Sequence, residues 1–539
     1  MEYSKDYEIH ESLVDAIAAK VRSFYQRQQG SRILHGSTNS TRPAHGDRVV
    51  DISPLDRILK IDPRTRTAVV EPNVTMDKLV DATLQDGLMP PVVMEFPGIT
   101  VGGGFAGSAG ESSSFEHGYF SDTVNWVEMI LGDGRVVRAS KFKNEDLFYG
   151  AAGAAGTLGI TTLLELRLVP AKPYVSLTYH PTSSIEETVE SIRKETENSE
   201  NNYVDGIVFA RNSGVVMTGV LADERPLSVR LQTFSRPWDP WFYMHVQQRV
   251  QNPPGDGRAM VDYIPIRDYL FRYDRGGFWI GRESFRYFGF VPFNGLTRWF
   301  LDDFLHARML YRALHGAKAY LGFMIQDLVL PYSTAQDLIA YTVENLNIWP
   351  LWVCPLRGMQ GPTFHPCCTS GNSALREAPQ PMLNIGLWGR ASQDPATFVK
   401  QNRDLEQRLR ELQGRKVLYS QNYYTEGEFW HLYDGPWYEA LRQKYGATTL
   451  PSIYDKVSAG ASKLYADQTS SQWLRSSWPL AGIVGIFAAL RSGDYVYHRQ
   501  PLWKTIWASL RRKLDLQAEI VSRGRFAAKK QQGAFSIFN

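Results

Sequence analysis

The sequence predicts an α+β protein of two domains followed by a helical tail. Three observations predict it. At 539 residues the chain is long for a single core. Up to about residue 175, short β-branched runs alternate with short amphipathic stretches. Beyond that point the runs become rich in aromatic residues, and after about residue 464 the charge balance changes.

The elements follow in order. Ser12 to Gln29 carries Leu13, Ile17, Val21 and Phe24 at helical spacing, with Gly30 as a stop. "SRILHGSTNSTRP" reads as a strand running into a polar turn, and "RVVDIS" and "TAVVEPNVT" as short strands. "TMDKLVDATLQDGL" is a helix that Thr75 is expected to cap and Gly87 to end. "VNWVEMILGDGRVVRAS" is a hairpin about a Gly-Asp-Gly turn. "EDLFYGAAGAAGTLGITTLLELRLVP" is a helix start, a glycine-rich turn and a long strand ending at Pro170. The expected division is residues 1–175, a second α+β domain over 176–464, and a tail over 465–539.

Composition narrows the function. The protein is 43% hydrophobic and 21% charged, as in ordinary soluble domains. Its 14 Trp, 27 Tyr and 26 Phe suit large cores and pockets for flat or greasy ligands. A net charge of +3 gives no support to nucleic-acid binding. Residues 465–539 hold 11 Lys/Arg against 4 Asp/Glu, so the basic balance belongs to the tail. The three cysteines, Cys354, Cys367 and Cys368, form no CxxC, which argues for a reducing compartment and against a disulfide scaffold or structural zinc. The polar N-terminus has no apolar core of a signal peptide, so the expected location is intracellular, cytoplasmic or peripheral on the endoplasmic reticulum membrane, and not secreted.

The stretch "TVGGGFAGSAGESSSFEHGYFSD" sets bare backbone beside hydroxyls. Such a run makes an anion cradle; a tight turn or close strand crossing is an equally good reading of one run alone. There is no GxxxxGK[ST]. "GGGFAG" matches GxGxxG by letter but lacks the acidic residue that should follow about 20 positions on. HExxH is absent, "FHPCC" has no second half for a metal, and no GxSxG elbow occurs.

Four segments read together are more specific. "HGSTNSTR", "VVEPNVTMDKLVDATLQDGLMPPV", "PGITVGGGFAGSAGESSSFEHGYFSDTV" and "DLFYGAAGAAGTLGITTLLELRLVP" resemble, in this order, the FAD-binding domain of the vanillyl-alcohol oxidase and para-cresol methylhydroxylase (PCMH) superfamily. Within it the protein is similar to the delta-24 sterol reductase family. That likeness continues through "YVDGIVFARNSGVVMTGVLADE", "DYIPIRDYLFRYDRGGFW", "QDLVLP", "WPLWVCP" and "NYYTEGEFWHLYDGPWYEALRQKYGA", about four fifths of the sequence.

The resemblance implies a two-subdomain PCMH-type FAD-binding domain, then an α+β substrate (cap) domain. The FAD pyrophosphate would meet Gly36, Ser37, Thr38, Asn39, Ser40 and Thr41. A second wall would run over Gly107, Ser108, Ala109, Gly110, Glu111, Ser112, Ser113, Ser114, His117, Gly118 and Phe120, with Gly159 and Ile160 on the cofactor's other side. The glycines would admit the cofactor and the serines bond it. Asn39 stands where many relatives attach FAD through His, and no Cys lies near a cofactor segment in sequence, so the FAD is expected to be noncovalent. His35 and His117 remain as attachment sites or as loop hydrogen-bonding groups.

By the same resemblance, reduced flavin gives hydride to a C=C bond of a sterol or similar lipophilic molecule and NADPH recharges it. Tyr423, Tyr424 and Glu426 are candidates for the general acid or its relay; core packing and helix capping are the structural readings. Arg275 and Trp279 are candidates for the substrate channel, or a structural ion pair and core packing. No metal is implied. The alternatives are an FAD-dependent oxidase, desaturase, cyclase or isomerase of polyketide or terpenoid metabolism, and a noncatalytic lipid-binding protein.

Two departures stand out. Animal and plant members of the family carry an N-terminal hydrophobic anchor, whereas this sequence starts at its first helix. Its tail holds "WPLAGIVGIFAAL", 13 residues where about 20 span a bilayer. The tail also holds "QPLWKTIWASLRRKL", with Trp503, Ile506, Trp507 and Leu510 on one helical face. Aromatic and basic residues in that pattern suit peripheral membrane contact or packing on the protein itself.

Overall fold

The computed structural model describes residues 5–35, 48–227, 229–253, 259–316, 322–359, 362–366 and 380–458, with isolated positions at 487, 490 and 491. The sequence stretches singled out in the tail lie outside the described residues apart from those positions.

Helix Lys5–Gln26 opens the protein and starts earlier than its apolar spacing predicts. Val14, Ile17, Ala18, Val21 and Phe24 form its buried stripe, packed on Val50, Ile52, Leu55, Ile130 and Ile160. Strands Arg32–Leu34 and Val49–Asp51 pair in parallel beside it. An antiparallel five-stranded sheet follows, in the order Ile58–Asp62, Thr67–Val70, Gly159–Arg167, Val124–Leu131, Val136–Ser140. The expected hairpin is its edge, with Gly134 at φ +85 in the turn. Helix Met76–Thr83 follows Thr75, and Gly87 turns left-handed beyond it. Thr75 does not cap the helix with its side chain; its hydroxyl bonds the Asp77 carboxylate instead.

The second domain is built on an antiparallel eight-stranded sheet. Its order is Met260–Pro265, Tyr174–Thr182, Ser213–Ala222, Tyr203–Ala210, Leu351–Leu356, Met382–Arg390, Phe323–Pro331, Arg415–Lys416. Side chains alternate across a strand, so the sheet has two distinct faces. Val204, Val208, Leu328, Val353 and Ile385 pack under helices Ile185–Glu195, Tyr332–Asn345 and Pro395–Glu411. Ile207, Val329, Trp352 and Trp388 point the other way and join the core of the first domain. One hydrophobic core therefore runs through the contact between the two domains.

The backbone then returns to the first domain. Helices Glu426–Leu432, Gly435–Lys444 and Ile453–Val457 close the described part. Lys444 pairs with Asp146 at 2.6 Å and the Tyr438 hydroxyl donates to Thr157 Oγ1 at 2.7 Å. These contacts join residues 426–457, which the expected division gives to the cap, to the first domain. Among the described residues, no helix is long and apolar enough to cross a membrane.

Candidate functional site

The inner face of the eight-stranded sheet is sealed against the first domain and should be apolar. Asp205, Asn384 and Asp327 interrupt it. On strand Phe323–Pro331, alternation sends Gln326 to the helix layer, where it bonds Asn402 at 3.1 Å and Ser420 at 2.8 Å. Asp327 points the opposite way and accepts from Asn384 Nδ2 at 3.0 Å. Gly386 sits beside it in register, and a Cβ there would lie 3.1 Å from Asp327 Oδ1. Glycine at 386 thus makes room for the carboxyl group. Asp327, Glu95 and Tyr419 each keep some accessible surface although protein surrounds them, as residues lining a chamber do. Burial pushes the Asp327 carboxyl up to about 6, opposed by hydrogen bonds from Asn384 and Tyr419 and reinforced by the charge of Glu95.

Asp205 holds the far side of this face. Its Oδ2 accepts from Arg272 at 2.9 Å, the Tyr273 hydroxyl at 2.9 Å and Trp352 Nε1 at 3.1 Å. Asp205 Oδ1, Arg272 Nε and Asn384 Oδ1 are buried with no hydrogen-bond partner. Unsatisfied buried polar atoms are costly, so three at one interface set this spot apart from an ordinary apolar core. Arg272 also reaches Ser112 Oγ at 3.4 Å, which ties the cap to the glycine- and serine-rich wall. On that wall Glu111 accepts from the Glu95 amide at 3.1 Å. Burial, and then the neighbouring Glu95 charge, push the Glu111 carboxyl well above the usual range, with Arg272 opposing. Cys354 lies on the same inner face, and burial together with the charges of Glu111, Asp205 and Asp327 keeps it a thiol. Distant from the cofactor segments in sequence, this cysteine comes close to one in space.

The remaining wall is aromatic. Phe96 meets Phe278, Tyr311 and Trp388 edge-on at 5.6 to 5.9 Å. Trp279 Nε1 donates to the Trp388 carbonyl at 2.7 Å and fixes that wall from behind. The chamber pairs flat apolar surfaces with protonatable carboxyls, a combination suited to a greasy substrate that takes up a proton.

A groove beside the chamber has the chemistry that FAD needs. Gly107, Ala109 and Gly110 form a half-buried strip next to Ala155 and Gly156. The Ala155 amide donates to Ala106 O at 2.9 Å and the Gly153 amide to Phe105 O at 3.1 Å, which joins the two turns. Ser108 and Ala155 hold left-handed backbone at φ +55 and +53, which turns the two segments tightly against each other. Lys456 Nζ bonds Ala155 O, and its charge adds to burial in lowering the pKa of His35. Small residues, backbone amides, hydroxyls and a cation are the donor set for a diphosphate and a planar ring, so the residues fit FAD. Lys456 escapes sequence reading because one lysine in "YDKV" carries no signal until the backbone folds back.

Several expected cofactor residues also make contacts within the protein. Residues 36–41 lie outside the described residues. The Ser113 hydroxyl donates to Pro91 O at 2.8 Å and Ser114 Oγ accepts from the Glu111 amide at 2.8 Å. Ser112, by contrast, meets the Arg272 side chain. A Cβ on Gly104 would lie 2.9 Å from the Phe120 ring, and one on Gly118, at φ +78, would overlap the Asp122 carboxylate. These glycines admit protein. Phe120 and Ile160 are core residues, and Gly159 packs on Ile130 O. His117 sits on an outer cleft of about 520 Å³ with Arg167 and Arg357.

The catalytic candidates divide as well. Tyr423 and Tyr424 gather near Glu406: the Tyr423 amide donates to Glu406 Oε1 at 2.9 Å, and Lys416 Nζ lies 2.7 Å from the same oxygen. The Tyr424 hydroxyl is buried without a hydrogen-bond partner. Glu426 is exposed in the first turn of its helix, whose capping box is made by Thr425 and Glu428. Arg275 spends its guanidinium on Asp302 at 2.7 Å and on the carbonyls of Phe234, Pro237 and Asp239, the structural ion pair of the two readings. Trp279 is buried behind the aromatic wall. Among the described residues, no group of His, Cys, Asp and Glu is arranged to hold a metal.

Residues 11–140 match the model of a family described as FAD binding domain. The protein is 30% identical to the delta(24)-sterol reductase of Homo sapiens over 465 residues, covering 84% of this sequence and 87% of that protein. It is 29% identical to the delta(24)-sterol reductase of Pisum sativum, covering 76% of each. A delta(24)-sterol reductase homolog of Caenorhabditis elegans is 27% identical, covering 74% of this sequence and 77% of that protein.

Proposed function

The protein belongs to the delta(24)-sterol reductase family, and from that membership we propose that it saturates an alkene in the aliphatic tail of a sterol, with NADPH as the reductant. It is an FAD-dependent oxidoreductase of the PCMH-type superfamily. FAD, when bound, supplies the hydride. The protein's residues supply position and proton. Phe96, Tyr311 and Trp388 hold a flat apolar skeleton and keep water away. Asp327, with a pKa of about 6, gives the proton to the alkene carbon that does not take hydride. Asn384 and Tyr419 orient that carboxyl.

The observation that carries this reading is Asp327, a half-buried carboxyl in an aromatic chamber next to a groove that fits FAD. Its partner class is a lipophilic sterol. The aromatic and basic stretch at residues 500–514 supports peripheral contact with an intracellular membrane.

The test starts from purified flavoprotein under anaerobic conditions. NADPH should bleach the flavin, and a sterol with an alkene in its aliphatic tail should restore its colour and yield the saturated product. A flavin that stays oxidised with NADPH, in a protein that consumes O2 when substrate is added in air, would overturn the reductase assignment in favour of an oxidase.

A further inference from the structure

A second feature of the cap lies outside the chamber. Phe290, Leu296, Trp299 and Phe300 are 75%, 71%, 50% and 77% exposed, and Trp238 is 69% exposed. Large apolar side chains scattered singly on a surface are ordinary, but several from neighbouring segments form a patch that needs a partner.

The patch has a rigid base. Asn294 and Thr297 form a capping box on helix Gly295–Phe300. Phe293 packs on the fully buried Trp241 at 5.5 Å, and the Arg298 guanidinium covers Trp241 and Phe293 at 5.8 and 5.2 Å. Arg275 ties the other half in place. It donates to Pro237 O and Asp239 O at 2.9 Å, on either side of Trp238, and to Asp302 Oδ1 at 2.8 Å, two residues beyond Phe300. The exposed rings are therefore held out on an ordered frame.

Charge selects the occupant. Arg236 and Arg282 are exposed at the patch, over the Trp238 and Phe293 rings at 6.0 and 5.5 Å. The acidic residues beside them are engaged: Glu283 with Arg286 and Arg390, and Asp302 with Arg275. A second copy meeting this patch would present the same basic rim and no acidic surface of its own to match it. An interface of anionic headgroups over acyl chains matches both the rim and the rings. The patch also backs onto the substrate chamber. Trp241, Tyr243 and Trp279 follow one another at 6.4 and 6.3 Å, and Trp279 bonds the Trp388 carbonyl of the chamber wall.

We infer that Trp238 and residues 290–300 form a docking surface that seats the cap on an anionic membrane and turns the rear of the substrate chamber toward the lipid. The surface stands on its own geometry; the choice of a lipid occupant rests on the sterol-reductase reading.

Flotation of the full-length flavoprotein with vesicles of phosphatidylcholine and phosphatidylserine tests it. The wild type should float, and Trp299→Ser combined with Phe300→Ser should lower vesicle affinity at least tenfold. Flavin content and turnover of a cyclodextrin-delivered sterol should stay unchanged in that variant. Trp503→Ser with Trp507→Ser, in the tail, should leave at least half of the binding. If the double variant loses flavin through misfolding, Phe290→Ser with Leu296→Ser replaces it. Wild-type flotation by the patch variants would overturn the inference. So would a wild-type dimer that the variants dissociate while vesicles stay unbound, because the patch would then seat a second copy. Turnover without vesicles reads the sterol-reductase assignment independently, so the two ideas fail separately.

Discussion

Asp205 and Arg272 form an ion pair at 2.9 Å with 1% and 2% of their side chains exposed, and the pair joins the cap sheet to the cofactor wall through Ser112. Removing one partner of such a pair leaves a buried, uncompensated charge. Asp205→Ala should therefore cost about 3–5 kcal/mol of stability. It should also loosen flavin, because Arg272 no longer has its anchor beside Ser112. Asp205→Leu with Arg272→Met should recover much of the stability without recovering tight flavin binding. Thermal unfolding and flavin occupancy measured on the same samples separate these effects.

Asp327 carries both a stability and a rate prediction. Its pKa rises from 3.8 to about 6 through burial, so the folded protein favours the neutral acid. The stability that this acid contributes is present below pH 3.8 and is lost as pH rises through about 6. The size of the loss is about 2–3 kcal/mol, at 1.36 kcal/mol per pKa unit. Asp327→Asn should flatten the stability profile between pH 4 and 6.5. It should also lower sterol reduction about 100-fold or more, within the range for losing a general acid, while NADPH still bleaches the flavin. An unchanged turnover rate in this variant would remove Asp327 as the proton source.

Much of the first domain was legible because its elements are local. Helix Met76–Thr83, the hairpin closing the five-stranded sheet, and the long strand to Arg167 follow from periodicity and turn residues. Asp327 was not legible as a site residue, although the segment "QDLVLP" pointed to the family. Whether Gln326 or Asp327 faces the first domain depends on which side of the sheet the helices cover, a long-range fact. The glycines of residues 102–118 pose the opposite problem. Their number suggested a ligand, but Gly104 and Gly118 answer to Phe120 and Asp122, neighbours visible only in the folded protein. Lys456 and residues 426–457 return to the first domain from far along the sequence, so no local pattern announces them.

His10 gives a stability change in a different pH window. It lies between Glu71 at 2.8 Å and Glu128 at 3.2 Å, in the helix that covers the first domain. Burial alone would lower its pKa, but the hydrogen bonds and charges of Glu128 and Glu71 outweigh that and raise it to about 9. A raised histidine contributes stability that is fully present below 6.5 and is lost as pH rises through about 9. His306, held by Asp274 and Asp302, is raised to about 9 as well and titrates in the same window. His10→Gln should consequently remove only part of the slope between pH 7 and 9.5. Melting temperatures across that range, in wild type and variant, check both the sign and the incomplete flattening.

Lys456 offers a prediction that does not depend on turnover. Its ammonium bonds Ala155 O at the strained turn and lies near His35, where the backbone enters residues 36–41. If that groove receives the FAD diphosphate, Lys456 neutralises part of its charge, and a hydrogen bond to a charged group is worth about 1.5–3 kcal/mol. Lys456→Ala should weaken FAD binding to the apoprotein by roughly 10- to 100-fold. Riboflavin, which has no phosphate, should bind the variant as it binds the wild type. Lys456→Arg should restore most of the FAD affinity, since it keeps the charge. Equal weakening for FAD and riboflavin would mean that Lys456 only supports the turn at Ala155, and titration calorimetry with both flavins distinguishes the two roles.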